Sequence, residues 1–267
     1  MKNFKIRAIS GLVYVLIFIS GVTFSQYSLS LLLLFLSLFS LIEYFQIIKK
    51  VHVYPMKWIG FIICFATHII FALYAWGELE KKMMFILFPV LLLPFYELFK
   101  SRNRTINVIA LFAGSVYISG SLAIYNFLPA VSFLEDNTLI LCILILTWSN
   151  DTGAYLFGKL MGRAKLVPRT SPGKTWEGTI GGFLLTILAA WALSVFFKEQ
   201  TKIIWLIDAV LVVLFGTLGD ILVSKLKREA RVKDTGRLIP GHGGVLDRID
   251  SFMMIGPVMF LFHFFVL

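Results

Sequence analysis

The stretch LSLLLLFLSLFSLIEYFQII, residues Leu29–Ile48, decides the fold class. It carries one charge, Glu43, near its far end. An α-helix rises about 1.5 Å per residue, so a run of about 20 apolar residues measures about 30 Å. That is the thickness of a bilayer's hydrocarbon core. Lys49 and Lys50 follow at once, where a chain leaving the bilayer places its cations.

The same test applied outward from this run predicts further spans at Ala8–Ser25, Trp58–Trp76, Met83–Phe99, Ile106–Pro129, Asn137–Phe157, Gly178–Phe197, Ile203–Val223 and Ser251–Leu267. The span from Met83 is short and holds Pro89 and Pro94, so a kinked or partial crossing is expected there. The fold class is therefore all-α, a polytopic integral membrane protein of about nine transmembrane helices. Composition agrees. The chain is 58% hydrophobic and 15% charged, with a mean hydropathy of +0.86. Soluble domains sit near about 45–50% apolar and about 25% charged.

Charge gives the orientation. Of 25 Lys and Arg residues only Lys81, Lys82, Lys198 and Lys202 fall in the loops of one side. The positive-inside rule then puts the N-terminus, and the long loops 158–177 and 224–250, in the cytoplasm. This distribution accounts for the net charge of +10 without a nucleic-acid partner. The first apolar run lacks a small-residue cleavage site and is expected to stay as a helix. Residues 1–135 read as N-terminal transmembrane helices, and residues 136–267 as a catalytic transmembrane region with both long loops. The ends IEYFQIIKK and FYELFKSRNR form a faint repeat of an acid beside aromatics, then cations. Glu43 and Glu97 in these ends read mainly as interfacial or structural acids. Cys64 and Cys142 lie in apolar runs without metal-ligand spacing and read as core thiols.

The chemistry gathers on the cytoplasmic side. An aspartate in a span costs about 2.5–3.5 kcal/mol at the helix centre. Asp151, in WSNDTGAY, and Asp220, in GTLGDILVS, are therefore candidates for function rather than for a structural ion pair. The segment GHGGVLDRIDS follows a basic run, SKLKREARVKD. Gly241, Gly243 and Gly244 are expected to leave backbone N–H groups open to an anion, beside His242. Asp247 and Asp250 are three residues apart, one turn of a helix if one begins here. With Asp220 they would form an oxygen-rich pocket for Mg²⁺. Cations for phosphates and carboxylates for metal suit phosphoryl or nucleotidyl transfer. The loop RTSPGKTWEGT, Arg169–Thr179, contains Gly-Lys-Thr. A Walker loop needs glycine five residues before Gly173, and Pro168 stands there, so a Walker ATPase is excluded. Ser171, Lys174 and Thr175 remain as phosphate or carboxylate ligands, against the plainer reading of a helix start with Glu177 in its first turn.

The pattern Ser224-x-Leu226-Lys227-Arg228-x4-Lys233-Asp234-x-Gly236-x2-Ile239-Pro240-x-His242-Gly243-Gly244-Val245-x-Asp247-Arg248-Ile249-Asp250 resembles the signature of the phosphatidate cytidylyltransferases, or CDP-diacylglycerol synthases. Asp151-Thr152-Gly153-Ala154-Tyr155 and the SPGKTWEG loop are similar to the same family. The resemblance spans roughly residues 145–260. It implies CTP and phosphatidate as substrates, and CDP-diacylglycerol and pyrophosphate as products. It further implies Mg²⁺, with a monovalent ion such as K⁺ alongside, and a homodimer; the chain's size and its lack of recognisable targeting segments lead to the expectation of a bacterial cytoplasmic (inner) membrane. On this reading Asp220, Asp247 and Asp250 hold metal. Lys227, Arg228, Lys233 and Arg248 bind the phosphates of CTP or the lipid, and Gly243, Gly244 and His242 contact the triphosphate. Ser171, Lys174 and Thr175 form a second phosphate clamp, and Asp151 ligates metal or orients a cation. Two other readings stand beside it. A secondary transporter would place its acids mid-helix. A lipid-linked transferase or kinase would use another nucleotide.

Overall fold

The computed structural model describes residues 2–80, 85, 87–97, 104–241 and 243–267, with backbone alone for 2–8 and 104. The helices are α1 (Lys2–Thr23), α2 (Gln26–Lys50), α3 (Lys57–Ala75), α4 (Leu87–Tyr96), α5 (Thr105–Val131), α6 (Thr138–Met161), α7 (Trp176–Phe196), α8 (Lys202–Glu229) and α9 (Leu246–Val266). A hairpin of β1 (Lys165–Val167) and β2 (Ser171–Thr175) joins α6 to α7. Among the described residues, α2, α3 and α5 to α9 are seven helices long and apolar enough to cross a membrane. The apolar parts of α1, Ile9–Thr23, and of α4 are shorter. The chain is an all-α polytopic membrane protein.

The helix ends follow local chemistry. Ser25 caps α2 by accepting the Ser28 N–H, and Ser28 reaches back to the Ser25 N–H. Thr175 caps α7 through the Gly178 N–H at 3.1 Å. α4 passes from α-helical turns into a 3₁₀ turn at Leu93, beside Pro94, as its prolines require. α5 contains a wide π-helical stretch, Phe112–Gly120. Tyr44 enters at this point: its hydroxyl donates to the Ala110 carbonyl at 3.0 Å, and its ring packs on Gly114.

Two compact units result, and they do not follow the halves of the chain. One holds residues 1–127 and 226–249, the other residues 128–225 and 250–267. α8 and α9 each give one end to each unit. In the first unit, Leu33, Leu41, Ile59, Ile63, Leu111 and Leu122 are core residues of α2, α3 and α5. Two polar pairs lie buried among them. His68 Nε2 meets Ser37 Oγ at 2.7 Å, and Glu97 accepts from Met56 N and Asn107 Nδ2 at 3.1 and 2.9 Å. Glu97 is thus a structural acid that ties α3 to α5.

In the second unit α6 and α7 pack backbone to backbone. A Cβ on Gly153 would stand 2.6 Å from the Gly181 carbonyl, and one on Gly182 would stand 2.6 Å from Asn150 Oδ1. Small residues allow this approach, which membrane helices use where hydrophobic burial cannot hold them together. A buried polar knot, Gln200–Asp208–His263, ties α8 to α9 at distances of 2.6 and 3.0 Å.

Candidate active site

The second unit contains a cavity of about 230 Å³, lined among others by Asn150, Asp151, Tyr155, Lys174, Thr175 and Asp220. The hairpin aims Lys174 into it. β2 pairs antiparallel with β1, with Lys165 opposite Thr175 and Val167 opposite Ser171. The base of the hairpin is fastened twice. Trp176 N donates to the Ala164 carbonyl at 2.9 Å, and Glu177 accepts the Arg163 and Ala164 N–H groups at 3.1 Å each. Lys174 Nζ then lies 2.7 Å from Asp220 Oδ2, and Ser224 Oγ donates to Asp220 Oδ1 at 3.0 Å. Side-chain exposures of 24% and 32% leave this pair open to exchange partners. Ser171, the strand residue opposite Val167, is not among the residues that line the cavity.

The first unit holds another such pair, more deeply set. α8 ends in a left-handed turn at Arg231, with Val232 N donating to the Lys227 carbonyl at 2.8 Å and Arg231 N to Arg228 at 3.0 Å. This closing geometry usually takes glycine. It turns the chain back toward the start of α9. Gly241 and Gly243 adopt φ values of +77 and +87 in the segment between, which suits their lack of Cβ. Asp247, in the first turn of α9, is saturated with donors. Lys227 Nζ lies 2.6 Å from Oδ1. Thr235 N, Thr235 Oγ1 and Gly244 N lie 2.8, 2.9 and 3.2 Å from Oδ2. The Lys227 and Asp247 side chains are only 12% and 8% exposed. Glu43 of α2 is buried behind them and accepts from Thr235 Oγ1, Val245 N and Leu246 N.

The model of the cytidylyltransferase family matches residues 5–266, nearly the whole chain. This chain belongs to the cytidylyltransferase family. Proteins named phosphatidate cytidylyltransferase resemble it over part of its length. The protein of Staphylococcus epidermidis is 48% identical over 127 residues, 47% of this chain and 48% of that relative. The protein of Staphylococcus haemolyticus is 48% identical over 122 residues, 45% and 46% of the two chains. The protein of Staphylococcus aureus is 47% identical over 122 residues, with the same coverage. The matched stretch spans about half the length of these curated relatives.

Against the expectations for such a cytidylyltransferase, Lys174, Thr175, Asp151 and Asp220 share one cavity wall. Thr175 also spends its hydroxyl on the α7 cap. Lys227, Asp247 and Gly244 share one hydrogen-bonded group in the other unit, so the Gly244 N–H is used by Asp247 and is not open to an anion. Arg228, Lys233 and Arg248 are exposed. Asp250 is 9% exposed, and its Oδ1 takes the Ser251 N–H at 2.8 Å. His242 lies outside the described residues. Glu43, Thr235 and Glu177 organise these groups, and Asn150 and Thr217 line the cavity, without a local motif that marks them for these roles.

Asp220 and Asp247 offer the oxygen chemistry that Mg²⁺ takes, and each holds a lysine ammonium. Among the described residues no three His, Cys, Asp or Glu side chains are grouped to hold a metal. Mg²⁺ usually binds through one or two carboxylates together with substrate phosphates rather than in a protein cage. Asp220, part-exposed in the cavity wall, has the chemistry to meet such an ion, whereas the Asp247 oxygens already take Lys227 and two backbone N–H groups.

Proposed function

We propose that this chain condenses CTP with phosphatidate to give CDP-diacylglycerol and pyrophosphate. The observation that carries the reading is the Lys174–Asp220 pair on the wall of a polar cavity in a membrane protein of the cytidylyltransferase family. The names of the partly matching staphylococcal relatives point the same way. In this reaction an oxygen of the lipid phosphate bonds to the α-phosphorus of CTP. The bond from that phosphorus to the β-phosphate oxygen breaks, and its electron pair leaves with pyrophosphate. The nucleophile is already anionic, so no side-chain base is required. The protein's work is then positioning and charge neutralisation.

Lys174 and Lys227 suit that work. Each ammonium is paired with an aspartate: a phosphate oxygen can displace the part-exposed Asp220 from Lys174, whereas Lys227 can stay paired with Asp247 and turn its remaining N–H donors to a phosphate. The exposed Arg228, Lys233 and Arg248 add positive charge to the segment that follows α8. Asp220, Asp247 and Asp250 are the carboxylates proposed to meet Mg²⁺, which when bound to CTP would neutralise charge on its phosphates.

Purified protein incubated with CTP labelled in the cytosine ring, phosphatidate and Mg²⁺ tests the reading. Label is expected in a lipid product only when phosphatidate is present, and EDTA is expected to abolish it. Label that stays in the water-soluble fraction of the complete mixture contradicts the function. We further propose that segments 158–177 and 224–250 face the cytoplasm. Both native cysteines are buried, so a cysteine at Lys233 in sealed inside-out vesicles should react with an impermeant maleimide. Reaction only in right-side-out vesicles would reverse the orientation.

A further inference from the structure

Glu43 belongs to an apolar helix, yet its carboxylate is 5% exposed and fully employed by a segment about 200 residues away. Oε1 accepts the Val245 N–H at 3.0 Å. Oε2 accepts the Leu246 N–H at 2.9 Å and the Thr235 hydroxyl at 2.8 Å. The first N–H groups of a helix have no partner within it. A side chain just before the helix normally takes them. Here that place holds Gly243, Gly244 and Val245, which have no side-chain acceptor. Glu43 supplies the cap from α2, and its negative charge suits the positive end of the α9 dipole.

The surroundings are shaped to admit this carboxylate. A Cβ on Gly236 or on Gly244 would collide with it. Its reach ends at Asp247. The Thr235 hydroxyl stands 2.8 Å from Glu43 Oε2 and 2.9 Å from Asp247 Oδ2, and its single hydrogen can serve only one of them at a time. Glu43 thus holds Thr235 by its hydroxyl and Val245 and Leu246 by their N–H groups. The N–H groups of Thr235 and of Gly244, next to Val245, donate to Asp247, and Asp247 holds the Lys227 ammonium.

We propose that Glu43 is a positioning residue for cytidylyl transfer: it sets the start of α9 so that Asp247 holds Lys227 ready for a substrate phosphate. The inference rests on the function proposed above only for the word cytidylyl. The positioning itself exists without substrate.

Two measurements on the full chain in detergent separate these levels. The first is substrate-free acylation of lysines read by mass spectrometry, with exposed Lys233 as the internal reference. Glu43→Gln keeps the volume but replaces an acceptor oxygen with a donor NH₂ facing the helix N–H groups. It should raise the Lys227-to-Lys233 labelling ratio at least fivefold. An unchanged ratio overturns the proposal. The second is turnover of CTP and phosphatidate, with kcat and KM determined for each substrate and kcat normalised to folded protein by the thermal midpoint. Glu43→Gln should lower kcat at least tenfold. Wild-type kcat and KM in a variant with a lowered midpoint would make Glu43 a structural cap only and overturn the positioning role.

If Glu43→Gln does not fold, Thr235→Val and Thr235→Ser carry both measurements. The serine variant should keep the larger share of kcat and the lower Lys227 labelling, and equal behaviour of the two overturns the proposal. A wild-type enzyme that makes no lipid product overturns the proposed function, while the labelling ratio still decides the positioning.

Discussion

Among the described residues, two lysine–aspartate pairs have nearly equal length and very different settings. Lys174–Asp220, at 2.7 Å, is a quarter to a third exposed and borders a cavity. Lys227–Asp247, at 2.6 Å, is about a tenth exposed, and its carboxylate takes two backbone N–H groups and shares the Thr235 hydroxyl with Glu43. A part-exposed pair of this kind contributes about 0–1 kcal/mol to stability. Breaking a buried pair from one side costs about 3–5 kcal/mol, because the remaining charge is stranded. The same two residue types therefore do different work. The first pair is a part-exposed contact at a cavity wall, the one proposed above to meet a phosphate. The second is a fixed part of the fold that also presents a cation.

The difference can be broken from either side. Asp247→Asn should have the largest effect. It strands Lys227 and turns an amide toward Thr235 N or Gly244 N, so we expect a loss of about 3–5 kcal/mol in unfolding free energy together with turnover below a hundredth of wild type. A thermal midpoint like that of wild type would contradict the buried setting. Asp220→Asn should separate the two quantities: turnover falls at least tenfold, while stability changes by less than about 1 kcal/mol. A stability loss as large as that of Asp247→Asn would erase the contrast. The smallest effect is expected from Thr175→Ala, which removes the α7 cap at a cost of about 1 kcal/mol. Because the hairpin that carries Lys174 ends at this cap, the KM for one phosphate-bearing substrate should rise a few-fold. Unchanged stability would mean that Gly178 N finds another acceptor.

What the sequence discloses about these regions is uneven for physical reasons. The apolar runs were legible because bilayer thickness sets their length, and Leu29–Ile48 lies wholly within α2. Helix ends were not. α8 continues to Glu229, well past the apolar run that ends at Val223, since nothing in the charged segment breaks it before the left-handed turn at Arg231. α9 extends back from the apolar run at Ser251 to Leu246, the start that the Asp247–Asp250 spacing allows, and Glu43 and Asp247 take up the N–H groups of residues 244–246. The hairpin escaped notice because strands of three and five residues leave no periodicity to read. Lys174, Asp220, Lys227 and Asp247 were visible as chemistry, since charge near an apolar run is costly. Their pairing was not, and Glu43 reads only as an interfacial or structural acid. Its partners lie about 200 positions away, and no local pattern joins them.

The proposed role of these cations in cytidylyl transfer to a lipid phosphate is tested most directly by the fate of each CTP phosphate. Purified protein is incubated with phosphatidate, Mg²⁺ and CTP radiolabelled at either the α or the γ phosphorus. The account predicts that the α label enters the lipid and the γ label leaves as pyrophosphate, in equal amounts. A γ label in the lipid, with the α label left in CDP, would make the protein a lipid kinase and contradict it.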